Sequence, residues 1–79
     1  MNAMTIDDVT NEQAIEQINL AKKSAALTGL RGACGRGFLR AIGEGRKFTE
    51  RMIAENDSTM RNTAGLYLRI FKMQDEGLL

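Results

Sequence analysis

CGRGFLRAIGEGRKFTERMIAE, residues 34–55, sorts into two opposite stripes when wound at the step of about 100° of an α-helix. Phe38, Ala41, Ile42, Gly45, Phe48, Thr49, Met52 and Ile53 fall on one side. Arg36, Arg40, Lys47 and Arg51 fall within an arc of about 60° on the other, with Gly43 beside them and Glu44 at the margin. A helix of this kind buries one side and turns an anion-attracting side outward.

The rest of the 79-residue chain bounds what such a helix can belong to. A chain this short holds one domain, whose core alone supplies roughly 3–5 kcal/mol. Its single cysteine cannot form an internal disulfide, histidine is absent, and no Cys/Asp/Glu cluster has structural-metal spacing. Neither a metal nor a cofactor is expected, so assembly with another chain is the remaining support. The absence of proline, a charged fraction of 27% and an apolar fraction of 43% point to a folded, helix-rich chain rather than disorder. No run approaches the ~18 apolar residues of a membrane span. Asp7 and Asp8 stand where a secretory signal needs positive charge and an apolar stretch. A cytoplasmic protein without membrane contact is the expectation, and the lone thiol of Cys34 fits a reducing compartment.

The net charge of +1 conceals a pattern. Residues 1–30 carry a net −2, residues 31–53 a net +4 and the remainder a net −1. Positive charge is concentrated on the quoted stretch.

Working outward, the pattern predicts an all-α, compact three-helix domain, with helices over about 11–28, 34–56 and 58–75. Residues 1–10 lack a helical period and read as a flexible arm, leaving 11–79 as one helical domain. Thr10 or Asn11 opens the first helix, with Glu12 and Glu16 favourably placed near its N-terminus. Its stripe of Ala14, Ile18, Ala21 and Ala25 is mostly small, so a neighbouring helix can approach closely. Leu20 and Leu27 form a second, narrower strip. Between Gly29 and Gly37, four glycines in nine residues read as a joint. An anion-binding loop is the weaker reading, because neither Gly-Lys-Ser nor Gly-Lys-Thr completes a P-loop and no strand precedes the glycines. Gly43 and Gly45 each disfavour an unbroken second helix by about 1 kcal/mol, and a kink or break there is the competing account. The third helix centres its apolar face on Met60, Ala64, Tyr67 and Phe71, and ends at Gly77. Leu68 and Ile70 flank that face, and Leu66 and Met73 carry the apolar arc beyond what two neighbours need, so Leu20, Leu27, Leu66, Ile70 and Met73 are the expected oligomer interface of a homo-oligomer.

Catalysis is not expected, since there is no histidine, no paired acid in an evident pocket and no base near Cys34 in sequence. A small-molecule substrate is not expected either. The candidate site is therefore Arg36, Arg40, Lys47 and Arg51, spanning about 22 Å of one helix face, with Arg31 and Arg46 adding charge nearby. Helix-turn-helix spacing fails at both places where it begins, because Gly35 follows Ala25 and Gly29, and Arg51 follows Ala41 and Gly45, where an apolar residue is required. No aromatic interleaves with the cations on the exposed face for single-strand stacking. The expected function is an oligomeric protein–protein adaptor or inhibitor that recognises an acidic protein surface. Duplex DNA bound by the same face is the runner-up, and a structural subunit of a helical assembly is the third reading.

Overall fold

Four helices, rather than three, make up the computed structural model, which describes residues 5–79: α1 (Asn11–Ala25), α2 (Leu30–Ile42), α3 (Arg46–Ala54) and α4 (Ala64–Asp75). Single 3-10 turns at Ile6–Asp8 and Ser58–Met60 precede α1 and α4, and no strand occurs among the described residues. No helix among them is long and apolar enough to cross a membrane.

The start of α1 is fixed by a reciprocal cap. The Thr10 hydroxyl accepts from the Gln13 amide at 3.1 Å, and the Gln13 side chain accepts from the Thr10 amide at 2.9 Å. At its other end and in the turn that follows, Arg36 gathers three backbone carbonyls. Its guanidinium donates to the carbonyls of Ala25 (3.3 Å), Leu27 (2.6 Å) and Gly29 (2.7 Å).

The glycine-rich segment is not a joint. The turn is confined to residues 26–29, where Gly29 takes a positive φ of 64°, and α2 begins at Leu30. Gly32 and Gly35 lie inside α2 on the side that faces α1. A Cβ on Gly35 would sit 2.5 Å from the Ala21 carbonyl and 2.9 Å from the Ala25 amide nitrogen. A Cβ on Gly32 would strike the Leu27 carbonyl. The two helices thus run antiparallel in near-backbone contact, and theirs is the most extensive helix pair in the fold. Helix propensity lost at each glycine, about 1 kcal/mol, is offset by this close approach over the small side chains of α1.

The expected continuous helix over 34–56 breaks at Gly43-Glu44-Gly45. Gly43 leaves helical geometry with ψ −107°, and the Gly45 amide turns back to donate to the Arg40 carbonyl at 2.7 Å. Two side chains hold the break. Thr49, almost wholly buried, donates its hydroxyl to the carbonyls of Ala41 (3.2 Å) and Gly45 (3.0 Å), and Gln74 of α4 donates to the Ile42 carbonyl at 2.8 Å.

Because the second helix splits, α4 is packed by α1, α2 and α3 and by the residues ahead of α1. The core joins Val9, Ala14, Ile18, Ile42, Ile70, Phe71 and Met73, with Phe38, Leu39, Ile53, Leu66 and Tyr67 packed against it. The expected α1 stripe is correct at Ala14, Ile18 and Ala21, which are all buried. The expected centre of the α4 face is shifted, since Ile70 and Met73 are 0% and 2% exposed. These two residues therefore cannot contribute to an oligomer interface on the folded chain. They were surplus only against two neighbours.

The arm also needs correction. Residues 1–4 lie outside the described residues, but from Thr5 onward the chain is packed against α4. Val9 is buried, and the Arg69 guanidinium donates to the carbonyls of Val9 (2.8 Å) and Ile6 (3.0 Å). At the far end α4 closes in a Schellman motif, with the Leu78 amide bonded to the Met73 carbonyl at 2.8 Å and Gly77 at φ 75°. Leu78 and Leu79 are exposed.

Candidate protein-docking surface

The break at Gly43–Gly45 divides the expected stripe of cations into two sets with different employment. Arg36 and Arg40 ride on α2, whereas Arg46, Lys47 and Arg51 ride on α3. There is no single 22-Å track. Arg36 is engaged at the end of α1, as described above. Arg46 forms a bidentate pair with Asp75 of α4 at 2.7 and 2.8 Å, donates to Glu50 at 2.7 Å, and lies 4.8 Å from the Phe71 ring centre. Both arginines bind parts of their own fold.

The remaining cations are outward. Arg40 pairs with Glu44 at 3.1 Å, but both side chains are more than three-quarters exposed, so the pair holds neither firmly. Arg31 and Lys47 are exposed and form no ion pair among the described residues. Arg51 lies 5.6 Å from the centre of the Phe48 ring.

Phe48 is misplaced by the sequence reading in the opposite sense. Assigned to the buried stripe of a continuous helix, it is 59% exposed, because the break resets the rotation of α3 and turns Thr49 and Arg46 inward. Treating residues 46–54 as a separate helix would have left Phe48 at the margin of the apolar face. It lines a groove of about 460 Å³ between α2 and α3, together with Ala41, Met52, Met60 and Tyr67, and Arg40 stands at the edge. On the other side of the α2 ridge lies a groove of about 540 Å³ between α1, α2 and α4, lined by Leu20, Cys34, Phe38, Leu66 and Tyr67 among others. A smaller depression of about 240 Å³ at the α3–α4 connection contains Asp57. That carboxylate is already employed, accepting from the Thr59 amide and hydroxyl.

Tyr67 faces both large grooves. Its ring stands 5.4 Å from Phe38 and 6.2 Å from Phe71, so one aromatic row connects the groove floors to the core. Burial, and secondarily the charge Cys34 carries as a thiolate, push its phenol above the usual range. No group of three or more potential metal ligands occurs among the described residues.

The Arg46–Asp75 clasp carries a pH consequence. Hydrogen bonding from Arg46 holds the Asp75 carboxyl below the usual carboxylate range, while Asp75 and Glu50 hold the guanidinium charged. A depressed folded-state value stabilises the fold above the unfolded-state pKa of about 3.9, and the contribution is lost as pH falls through the lower, folded-state value. Thermal melts should therefore show Asp75→Asn less stable than the wild type at neutral pH, with the difference shrinking in acid. A gap that stays constant down to about pH 2 would show that the clasp contributes nothing through its charge.

Comparison with protein-family models, with curated proteins and with solved structures gave no match.

Proposed function

We propose that this chain is a non-catalytic, cytoplasmic protein-binding module, an adaptor or inhibitor whose α2–α3 groove takes an acidic, amphipathic helix of another protein. The observation that carries this reading is Phe48, a large aromatic left 59% exposed at the mouth of an apolar groove with Arg51 beside its ring and Arg40 on the edge. An apolar floor of Met52, Met60 and Tyr67 suits leucine or phenylalanine side chains, and methionines adapt to their shape. Cations at the rim suit flanking glutamates, which add steering and orientation more than affinity. An exposed free thiol at Cys34 accords with a reducing compartment.

Duplex DNA is the weaker reading of the same residues. Arg36 and Arg46, two of the six candidate cations, are engaged within the fold, and the others no longer follow one line. The test titrates the chain with two probes while backbone amide resonances are followed. One is a helical peptide carrying a leucine and phenylalanine stripe between glutamates, and the other is mixed-sequence duplex DNA. The peptide should perturb Ala41, Phe48 and Met52, and Phe48→Asp should weaken it at least about tenfold, equivalent to about 1.4 kcal/mol. DNA binding that weakens steeply with salt and is lost in Arg40→Glu would reverse the order of the two readings.

A further inference from the structure

We infer that the break at Gly43–Gly45 is a hinge, and that two copies of this chain exchange their α3–α4 halves when it straightens. This goes beyond the binding reading above and does not rest on it.

The residues around the hinge suit a straight helix as well as a broken one. The helical period runs through residues 43–45 without a slip, so a continuous helix would carry Phe38, Ile42, Gly45, Phe48, Thr49 and Met52 in one apolar stripe. In the broken form Phe48 leaves that stripe and stands 59% exposed. The hydrogen bonds of the break replace helical ones. A continuous helix would give the Ala41 carbonyl the amide of Gly45, and the Ile42 carbonyl the amide of Arg46. Here the first accepts from the Thr49 hydroxyl and the second from the Gln74 side chain, while those two amides donate to the carbonyls of Arg40 and Gly43. Straightening therefore exchanges these bonds rather than losing them.

Only Gly43, Glu44 and Gly45 connect the two halves. Each half has its own internal tie, since Gly32 and Gly35 seat α2 on α1 and the Arg46–Asp75 pair seats α3 on α4. The shared core and the bonds from Arg69 to Ile6 and Val9 run between the halves. A lone chain that straightened would put the buried side chains of Ile42, Ile70, Phe71 and Met73 into water. The surface each half then shows is matched by the other half of an identical chain, down to the bonds of Arg69. That match selects a second copy as the occupant, and a short hinge favours such an exchange.

Gly45 sets the balance between the two forms. In the broken form an added Cβ would lie 2.9 Å from the Arg40 carbonyl oxygen, whereas a continuous helix favours alanine over glycine at every interior position.

The test compares the full native chain with Gly45→Ala and Gln74→Ala by sedimentation from micromolar to millimolar concentration. Each sample is refolded at its final concentration, because exchange requires the core to open. Gly45→Ala should tighten dimerisation at least about tenfold, since each dimer contains two straightened hinges. Gln74→Ala should act in the same direction, because only the broken form needs that side chain on the Ile42 carbonyl. Mixed isotope-labelled and unlabelled chains then identify the dimer, in which nuclear Overhauser contacts between core side chains of α1 and α4 should cross from one chain to the other. A single-chain mass for both variants throughout the range overturns the proposal, as does a dimer whose α1–α4 contacts stay within one chain. Far-UV circular dichroism checks folding, and if Gly45→Ala unfolds, Gln74→Ala decides by the same two readings.

Discussion

Gly35→Ala is expected to lower the stability of the fold by about 3 kcal/mol, while Gly37→Ala, two residues along the same helix, is expected to raise it by up to about 1 kcal/mol. Both substitutions add one methyl group to α2, and both remove the same conformational freedom from the unfolded chain. They differ in what the methyl meets. At Gly37 nothing lies within 4 Å of the added carbon, so only the gain in helix propensity remains. At Gly35 the obstacles are the backbone of Ala21 and Ala25, which cannot rotate aside as a side-chain end does. The whole of α1 must move, and with it the buried contacts of Ala14 and Ile18. Paired urea melts measure the difference directly. Equal midpoints for the two variants would show that the helices are not in near-backbone contact.

The second large effect is expected from Met73→Ser. Met73 is 2% exposed and packed among the core residues, so this truncation should cost about 3–5 kcal/mol, with an added penalty for the buried hydroxyl. Against the roughly 3–5 kcal/mol that a core of this size supplies, the variant should be largely or wholly unfolded. Were Met73 a contact between chains, the same change would give a folded chain of lower mass. Circular dichroism and sedimentation on one sample separate the two outcomes, and a helical monomer would refute the burial described above.

How legible the fold was depends on what each residue signals. The α1 stripe was readable because Ala14, Ile18 and Ala21 obey the helical period and are buried by it. Gly32 and Gly35 were misread because glycine carries two physical meanings, freedom of φ and absence of a Cβ, and only a neighbouring helix decides which applies. Here the small residues of α1 were that neighbour. The break at Gly43–Gly45 was visible as an alternative, but its consequence was not. Once α3 rotates independently, Arg46 turns to Asp75 and Phe48 turns outward, and both depend on contacts some thirty residues away or on a wheel restarted at residue 46. Sequence alone cannot separate a cation that seeks a partner from one that already holds a backbone carbonyl, as Arg36 does. For that reason the candidate site moved from a run of charges to an apolar groove edged by those cations that remain outward.

The clasp between Arg69 and the carbonyls of Ile6 and Val9 bears on the order in which the chain assembles. The α1–α2 pairing joins residues as near in the chain as Ala21 and Gly35 across a short turn, whereas this clasp closes a loop of 60 residues between Val9 and Arg69. Loop-closure entropy makes the first pairing easy and the second late. Folding is then expected to start in the α1–α2 hairpin and finish where Ile6 and Val9 meet α4. Contacts formed after the rate-limiting barrier do not set the speed of folding, only the speed of escape. The seam at Val9 acts on this account as a latch, governing how long the protein stays folded rather than how fast it becomes so.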